Sequence, residues 1–377
     1  MKRGLFFVLL LALLLTTPVS QVQAQSVQEI SAEILDMTEQ MQFPADQESV
    51  EMRCPVCLQT VTWYALHVDA EINTQETRRL NNLHIYMVGD IVGEDIFDPK
   101  TNTGGFMFRT AKTNRHSVIH LNGHTLNASQ GVLMVEYGEV SIIGDGEAWG
   151  RRNNPDFGSA LDVRIGAELN IYGGKYYRNS PQPMVKIVEE GTFNLYGGTL
   201  EGNDSQEPGS VRVENGTFNL YGGVLESGFS SRVGSNLVVY EEGTANIYGG
   251  EFTGGRDASG GNIYNKGTLN IYGGKISGEI REEGGNETIT GGYLDSKITA
   301  ENASITGGTF TTDITPFVKE GFKANMKNGT YTVGEGVELP WMWIAVGGAA
   351  VAVLVVVILV VSAAGKKKKA EEKPQEQ

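Results

Sequence analysis

Cysteine is almost missing from this chain. Cys54 and Cys57 are the only two among 377 residues, so no disulfide framework can hold the fold and stability has to come from a buried apolar core. Positive charge is short as well: 30 Lys and Arg stand against 45 Asp and Glu, a formal net charge of −15. Lys2 and Arg3 contribute +2 to that balance, and the tail 365–377, with five Lys against three Glu, another +2, so the portion between the ends carries −19. So acidic a surface repels phosphate backbones and argues against nucleic acid as a partner. It suits solubility and cation binding. No Walker loop, Rossmann fingerprint or HExxH motif occurs, and long apolar runs are confined to the two ends.

Those ends read as addresses. Lys2 and Arg3 precede an apolar run from Leu5 to Leu15, and Val22-Gln23-Ala24 places small residues ahead of a cleavage point. This is the layout of a secretory signal, 1–24, cut after Ala24; its apolar run is too short to span a bilayer comfortably. At the other end, Trp341 to Ala364 is 24 residues without a charge. A helix of that length reaches about 36 Å, enough to cross the hydrocarbon core. Trp341 and Trp343 sit where indoles favour the interface, and Lys366 to Lys369 mark the cytoplasmic side. The expected topology is single-pass in a cell membrane, with a transmembrane helix at 340–364, a cytoplasmic tail at 365–377 and the bulk outside. Glu338-Leu339-Pro340 lacks the Thr-Gly that a sortase signal requires, so the expected anchor is a helix rather than a covalent wall link.

Between the ends one phrase recurs: ELNIYGG at 168–174, TFNLYGG at 192–198 and 217–223, TANIYGG at 244–250 and TLNIYGG at 268–274. Shorter copies are TITGG at 288–292 and SITGG at 304–308, with VSIIGDG at 140–146 as an earlier one. The tyrosines are spaced by 24, 25, 27 and 24 residues, a period typical of solenoids. Within a unit, Phe193 and Leu195 alternate with Asn194 and Tyr196, the period of two that gives a strand one apolar face. Gly-Gly then permits a sharp corner. Short alternating pieces such as Val224-Leu225-Glu226 and Val211-Arg212-Val213 complete a coil of two or three strands. A coil buries its apolar face only against neighbouring coils, which is why the phrase repeats. The expected fold is all-β, a single-stranded parallel β-helix of about eight coils and about 40 Å at the spacing of neighbouring strands. It would occupy 101–312. A spacer at 25–50, in which Glu29 to Met41 is weakly amphipathic and reads as a short helix or spacer, and a cap region at 51–100 precede it; a C-terminal cap and linker at 313–339 follow.

These units resemble those of right-handed parallel β-helix proteins of the pectate-lyase-like superfamily. More narrowly, three sets of phrases are similar to those of bacterial cell-surface proteins that begin with a Cys-Pro-x-Cys segment. They are CPVCLQTVTW at 54–63, HIYMVGDI at 84–91 followed by LNGHTL at 121–126, and the closing GGTF at 307–310 with GTYTV at 329–333. The resemblance covers nearly the whole exterior portion. It implies a right-handed coil and an adhesin-like role at a cell surface, with no defined activity.

Two sets of residues carry candidate chemistry. Cys54-Pro55-Val56-Cys57 presents two thiolates from one tight turn, half of a tetrahedral zinc site, and His67 and His84 are the expected further ligands. Leu58 stands where such knuckles commonly carry glycine, and no second Cys-x-x-Cys occurs. A local disulfide and a free dithiol are the alternatives. In any of these forms the turn would fasten a cap over the edge of the first coil. Redox catalysis is disfavoured because no thioredoxin-like βαβ pattern surrounds the pair.

The second set is the stripe Tyr172, Tyr196, Tyr221, Tyr248 and Tyr272, paralleled by Asn170, Asn194, Asn219, Asn246 and Asn270. Alternation with core residues places both stripes on the outer face, as ladders running from coil to coil. An exposed row of rings is a platform for sugar rings; the competing reading is that stacked identical side chains only stabilise neighbouring strands. Catalysis has less support. The doublets Glu189-Glu190, Glu241-Glu242 and Glu282-Glu283 precede glycines and read as solvated turns, and Gly123-His124-Thr125 lacks an accompanying Asp-Asp pair. Asp145, Asp156 and Asp162 near Arg151 and Arg152 form the most enzyme-like cluster. The expected function is therefore that of a non-catalytic, membrane-anchored extracellular protein that binds polysaccharide or the surface of a host or neighbouring cell. A polysaccharide lyase or glycoside hydrolase on the same fold, and a ligand-free stalk, are the alternatives.

Overall fold

The repeated phrase forms the same strand in every coil. In the computed structural model Thr192–Leu195 pairs in parallel with Thr217–Leu220, that strand with Thr244–Ile247, and that one with Thr268–Ile271, each residue lying on its equivalent one coil away. The structure describes residues 19–67, 79–92, 106–128, 131–150, 159–178, 182–202, 210–227, 234–254 and 262–336. The expected signal run ahead of Val19 and the expected membrane helix and tail lie outside the described residues. Among the described residues no helix is long and apolar enough to cross a membrane. The chain divides into a large unit, Met1–Gly334, which holds the fold, and a remainder, Glu335–Gln377.

The sheet built from this strand extends both ways. It runs back through Glu168–Ile171, Glu139–Ile143, His116–His120 and His84–Met87 to Thr60–Leu66, and forward to Asn286–Ile289 and Ala303–Ile305. Among the described residues it holds twelve strands, all parallel except Ser49–Arg53, which runs antiparallel to Thr60–Leu66 at the leading edge. Two more strands complete each middle coil and belong to a second sheet, and from Lys275–Glu282 and Tyr293–Thr299 onward one longer strand takes their place. Thr199–Glu201 and Val211–Val213 stack in parallel on Val224–Ser227 and Leu237–Val239 of the next coil. Three strands per turn of chain, stacked in register, make a parallel β-helix. Stacking begins at Thr60, ahead of residue 101, because His84–Met87 and His116–His120 keep the in–out alternation without the Tyr-Gly-Gly ending that marks the repeat.

Inside the coils equivalent positions repeat apolar side chains. Leu169, Phe193, Phe218, Ala245 and Leu269 form one column, and Ile171, Leu195, Leu220, Ile247 and Ile271 another, all fully buried. Each larger side chain contributes about 1.5–3 kcal/mol by leaving water, which is how the fold stands without a disulfide framework. The glycine corners are forced by this stacking. A Cβ on Gly198 would sit 2.5 Å from the Gly174 carbonyl oxygen of the preceding coil, and φ there is +87°, so contact and conformation both demand glycine.

The N-terminal segment doubles back over the outside of the twelve-stranded sheet. The helix Val19–Glu39 follows the glycine corners: Gln28 Nε2 donates to the Tyr221 carbonyl at 2.9 Å, and a Cβ on Gly197 would lie 3.6 Å from Leu35. Ile34, Leu35, Met41 and Phe43 close on Trp63, Tyr86, Val118, Ile143 and Tyr172, which point outward from their coils, and so build a second apolar core. Phe43 stacks on Tyr86 at 4.2 Å and meets Trp63 edge-on at 5.4 Å. Within the stretch 25–50, Glu29 to Met41, read from the sequence as a short helix or spacer, is helical up to Glu39, and Phe43 supplies the aromatic centre of this covering. At the far edge Thr309–Phe310 pairs antiparallel with Thr330–Glu335 and closes the second sheet.

Candidate functional site

The turn carrying Cys54 and Cys57 joins the two antiparallel strands of the cap. Cys54 N–H donates to the Gln59 carbonyl at 2.8 Å and Leu58 N–H to the Cys54 carbonyl at 2.9 Å, while Cys57 N–H donates to Cys54 Sγ at 3.5 Å. Leu58 has φ +59°. The residue departs from the glycine usual in such knuckles, but the backbone keeps the left-handed conformation, at a cost of about 1–2 kcal/mol. Strain of this kind persists only where the surroundings impose it.

Three donors converge there. The sulfurs of Cys54 and Cys57 and a ring nitrogen of His84 all lie within 4.8 Å of one another, with Cys57 Sγ 3.7 Å from His84 Nε2. A tetrahedral ion with Zn–S near ~2.3 Å and Zn–N near ~2.0 Å would place sulfur and nitrogen about 3.6 Å apart, so the three are close enough to hold a metal. Both cysteines carry free thiols. Burial pushes the Cys54 thiol up to about 12, a cost that a bound cation would offset. Burial first, and the neighbouring His116 second, hold His84 down to about 4, so its imidazole is neutral and free to ligate. His67, an expected ligand, is not part of this cluster; its Nε2 lies 3.8 Å from Glu48 Oε1.

The tyrosines do lie one above another. Ring centres are 4.5 Å apart for Tyr172–Tyr196 and 4.9 Å at the next three steps, with planes within 6–9°, because in-register parallel strands place equivalent side chains a strand spacing apart. The orientation differs from a row of open faces. Each inner ring has its faces against its neighbours, so edges and hydroxyls are what the stack presents. Tyr172 is only 7% exposed, within the second core, and Tyr196 packs against that core. Tyr221, Tyr248 and Tyr272 are half-buried. Burial raises the Tyr221 and Tyr248 hydroxyls above their ordinary value, so both stay neutral donors.

The asparagines beside them form a continuous hydrogen-bonded chain. Asn270, Asn246, Asn219 and Asn194 each donate from Nδ2 to the Oδ1 one coil back, at 2.8–2.9 Å. Asn170, at the end of the chain, donates to Glu139 Oε1 at 2.8 Å.

Glu189, Glu190, Glu241 and Glu242 are exposed, as solvated turns, whereas Glu282 of the third doublet is buried. Arg164, Lys186, Glu189, Glu214, Tyr240 and Glu241 line a groove of about 520 Å³. Glu189 and Glu190 both have positive φ, +51° and +64°. The charges in and beside the groove pair with one another: Lys186 and Arg212 both meet Glu214, at 3.4 and 2.9 Å, and Arg164 Nε donates to the buried Asp162 at 3.0 Å. The Arg212 guanidinium lies 4.8 Å from the Tyr240 ring centre. Recurrence of Glu-Glu-Gly at 189–191 and 241–243 was the sequence signal for this groove. Of the expected acidic cluster, Asp162 is committed to Arg164, and Asp156, Arg151 and Arg152 lie outside the described residues.

No family model, curated protein or solved structure matches the chain.

Proposed function

We propose that this chain is a non-catalytic cell-surface rod, a right-handed β-helix of the pectate-lyase-like kind. A C-terminal membrane helix anchors it, and it recognises an extended polysaccharide along one face. The observation that supports this most is the periodicity of the outward side chains. Thr192, Thr217, Thr244 and Thr268 run beside Asn194, Asn219, Asn246 and Asn270 and beside the tyrosines, in register coil by coil. With Asn194 buried and Tyr196 packed under the N-terminal segment, three consecutive coils offer the same hydroxyl, amide and phenol at one repeated step, which suits a polymer whose own hydroxyls repeat. Ring edges and phenolic hydroxyls would give hydrogen bonds and an apolar rim rather than a stacking face. Soft thiolate donors with an imidazole suit Zn²⁺, and we assign that ion to Cys54, Cys57 and His84. Its binding energy would fasten the cap to the early coils.

The test uses the full chain purified in detergent, a panel of soluble and insoluble polysaccharides, and the triple variant Tyr221→Phe, Tyr248→Phe, Tyr272→Phe, which keeps the ring stack and removes the hydroxyls. Retention on at least one polysaccharide, weakened about tenfold or more by the variant, is the expected result, since three hydrogen bonds at about 0.5–1.5 kcal/mol each are at stake. Absence of retention across the panel would leave only a stalk. New reducing ends or unsaturated products would overturn the non-catalytic reading.

A further inference from the structure

The three donors at the cap leave a tetrahedral ion one ligand short. Among the described residues the next imidazole along the outer face is His116. Its strand pairs in parallel with that of His84, and His84 faces Val118, so His116 sits two residues back on the same outward side. The two rings are 6.0 Å apart between centres and nearly perpendicular, at 87°. Two imidazoles on one tetrahedral ion, each with its nitrogen at ~2.0 Å, have ring centres about 5 Å apart. The observed separation is therefore about 1 Å longer than that of two imidazoles sharing an ion.

The far side of the ring is already arranged for ligation. His116 Nε2 lies 3.4 Å from Ser141 Oγ and 3.7 Å from Glu139 Oε1, both on the following coil, which leaves Nδ1 for a metal. Metal-bound histidines almost always donate their other N–H to a carboxylate or comparable acceptor, which sets tautomer and orientation. Glu139 is itself positioned, since Asn170 Nδ2 donates to it at 2.8 Å. Every amide in the asparagine ladder points its N–H end the same way, toward Glu139, an alignment that favours negative charge at that end.

We propose that His116 is the fourth ligand of the metal centre, binding through Nδ1, with Glu139 as the carboxylate that orients it. This rests on the assignment of a metal to Cys54, Cys57 and His84. The spacing rule that pointed to His67 had no means of finding His116, which lies 59 residues beyond Cys57 and reaches the site only through the coil.

The test is a Co²⁺ titration of the full chain, purified in detergent and stripped of metal, followed by visible absorption. The wild type is expected to bind one ion with the intense bands of a four-coordinate site. His116→Ala should weaken binding by more than the roughly 10- to 100-fold that loss of an orienting partner costs and lose those bands, and added imidazole should restore them. Glu139→Gln, which leaves every ligand in place, should weaken binding without changing the band pattern, while His67→Ala should change nothing. Wild-type affinity and spectrum in His116→Ala would overturn the proposal, as would a spectrum lost in His67→Ala. A wild type that binds neither Co²⁺ nor Zn²⁺ would remove the metal assignment itself, a different result from loss in His116→Ala alone.

Discussion

Glu287 occupies a position where neighbouring coils carry Leu269 and Ala303, and it is 1% exposed with no hydrogen-bond partner for either carboxylate oxygen. Burial, with the nearby Glu282 carboxylate adding to it, pushes this carboxyl from 4.5 up to about 8. Glu282 gives no compensation, since its Oε2 already accepts the Glu301 and Asn302 N–H groups at 2.6 and 2.8 Å. Below pH 4.5 folded and unfolded chains both hold the proton and the group makes no pH-dependent contribution. Between 4.5 and 8 the unfolded chain releases its proton and the folded one keeps it, so stability falls as pH rises. The slope approaches about 1.4 kcal/mol per unit and the total is at most roughly 5 kcal/mol, levelling off above pH 8. Because a solenoid opens coil by coil, the loss should appear as hydrogen exchange in Lys275–Glu282, Asn286–Ile289 and Ala303–Ile305, with the middle coils unaffected. Corrected for intrinsic rates, protection of these strands should drop about a hundredfold or more from pH 5 to pH 8. Glu287→Gln should abolish that drop, and Glu287→Leu should abolish it while adding about 1.5–3 kcal/mol of apolar burial. Equal pH dependence in the wild type and Glu287→Gln would refute this reasoning.

Two further substitutions test the packing. Gly198→Ala forces a Cβ against the Gly174 carbonyl at a positive-φ corner and should cost more than about 1–2 kcal/mol, read as a lowered urea midpoint. Phe43→Ala removes the ring that stacks on Tyr86 and meets Trp63 and His120 edge-on. It should cost about 2–3 kcal/mol for a half-buried aromatic and expose the N-terminal helix to limited proteolysis while the repeat coils stay resistant.

Much of the coil architecture was legible because a parallel solenoid is nearly one-dimensional: each strand meets its own equivalent, so a local pattern repeated at a fixed period also sets the register. Even Glu287 could have been found by laying Asn286-Glu287-Thr288-Ile289 on Thr268-Leu269-Asn270-Ile271, which shows a carboxylate in an apolar column. The coils at His84–Met87 and His116–His120 were harder, since their alternation survives but their corner signature does not. At the metal cluster the Cys-Pro-x-Cys turn was readable as a local backbone motif. The choice among histidines was not, because it depends on which coil each one rides.

The amino-acid sequence alone determined that there would be stacked parallel strands, which side chains would face inward, and that identical tyrosines and asparagines would align. Those follow from a period of two within a strand and a period near 24 between coils. Only the tertiary structure decided what lies on the outside of the coils. Residues 28–43 fold back over strands as far along the chain as Tyr221, the ring faces close on one another, and His84 meets the cap turn while His67 does not. The N-terminal covering joins segments more than a hundred residues apart with no repeat relating them, so no local pattern records it.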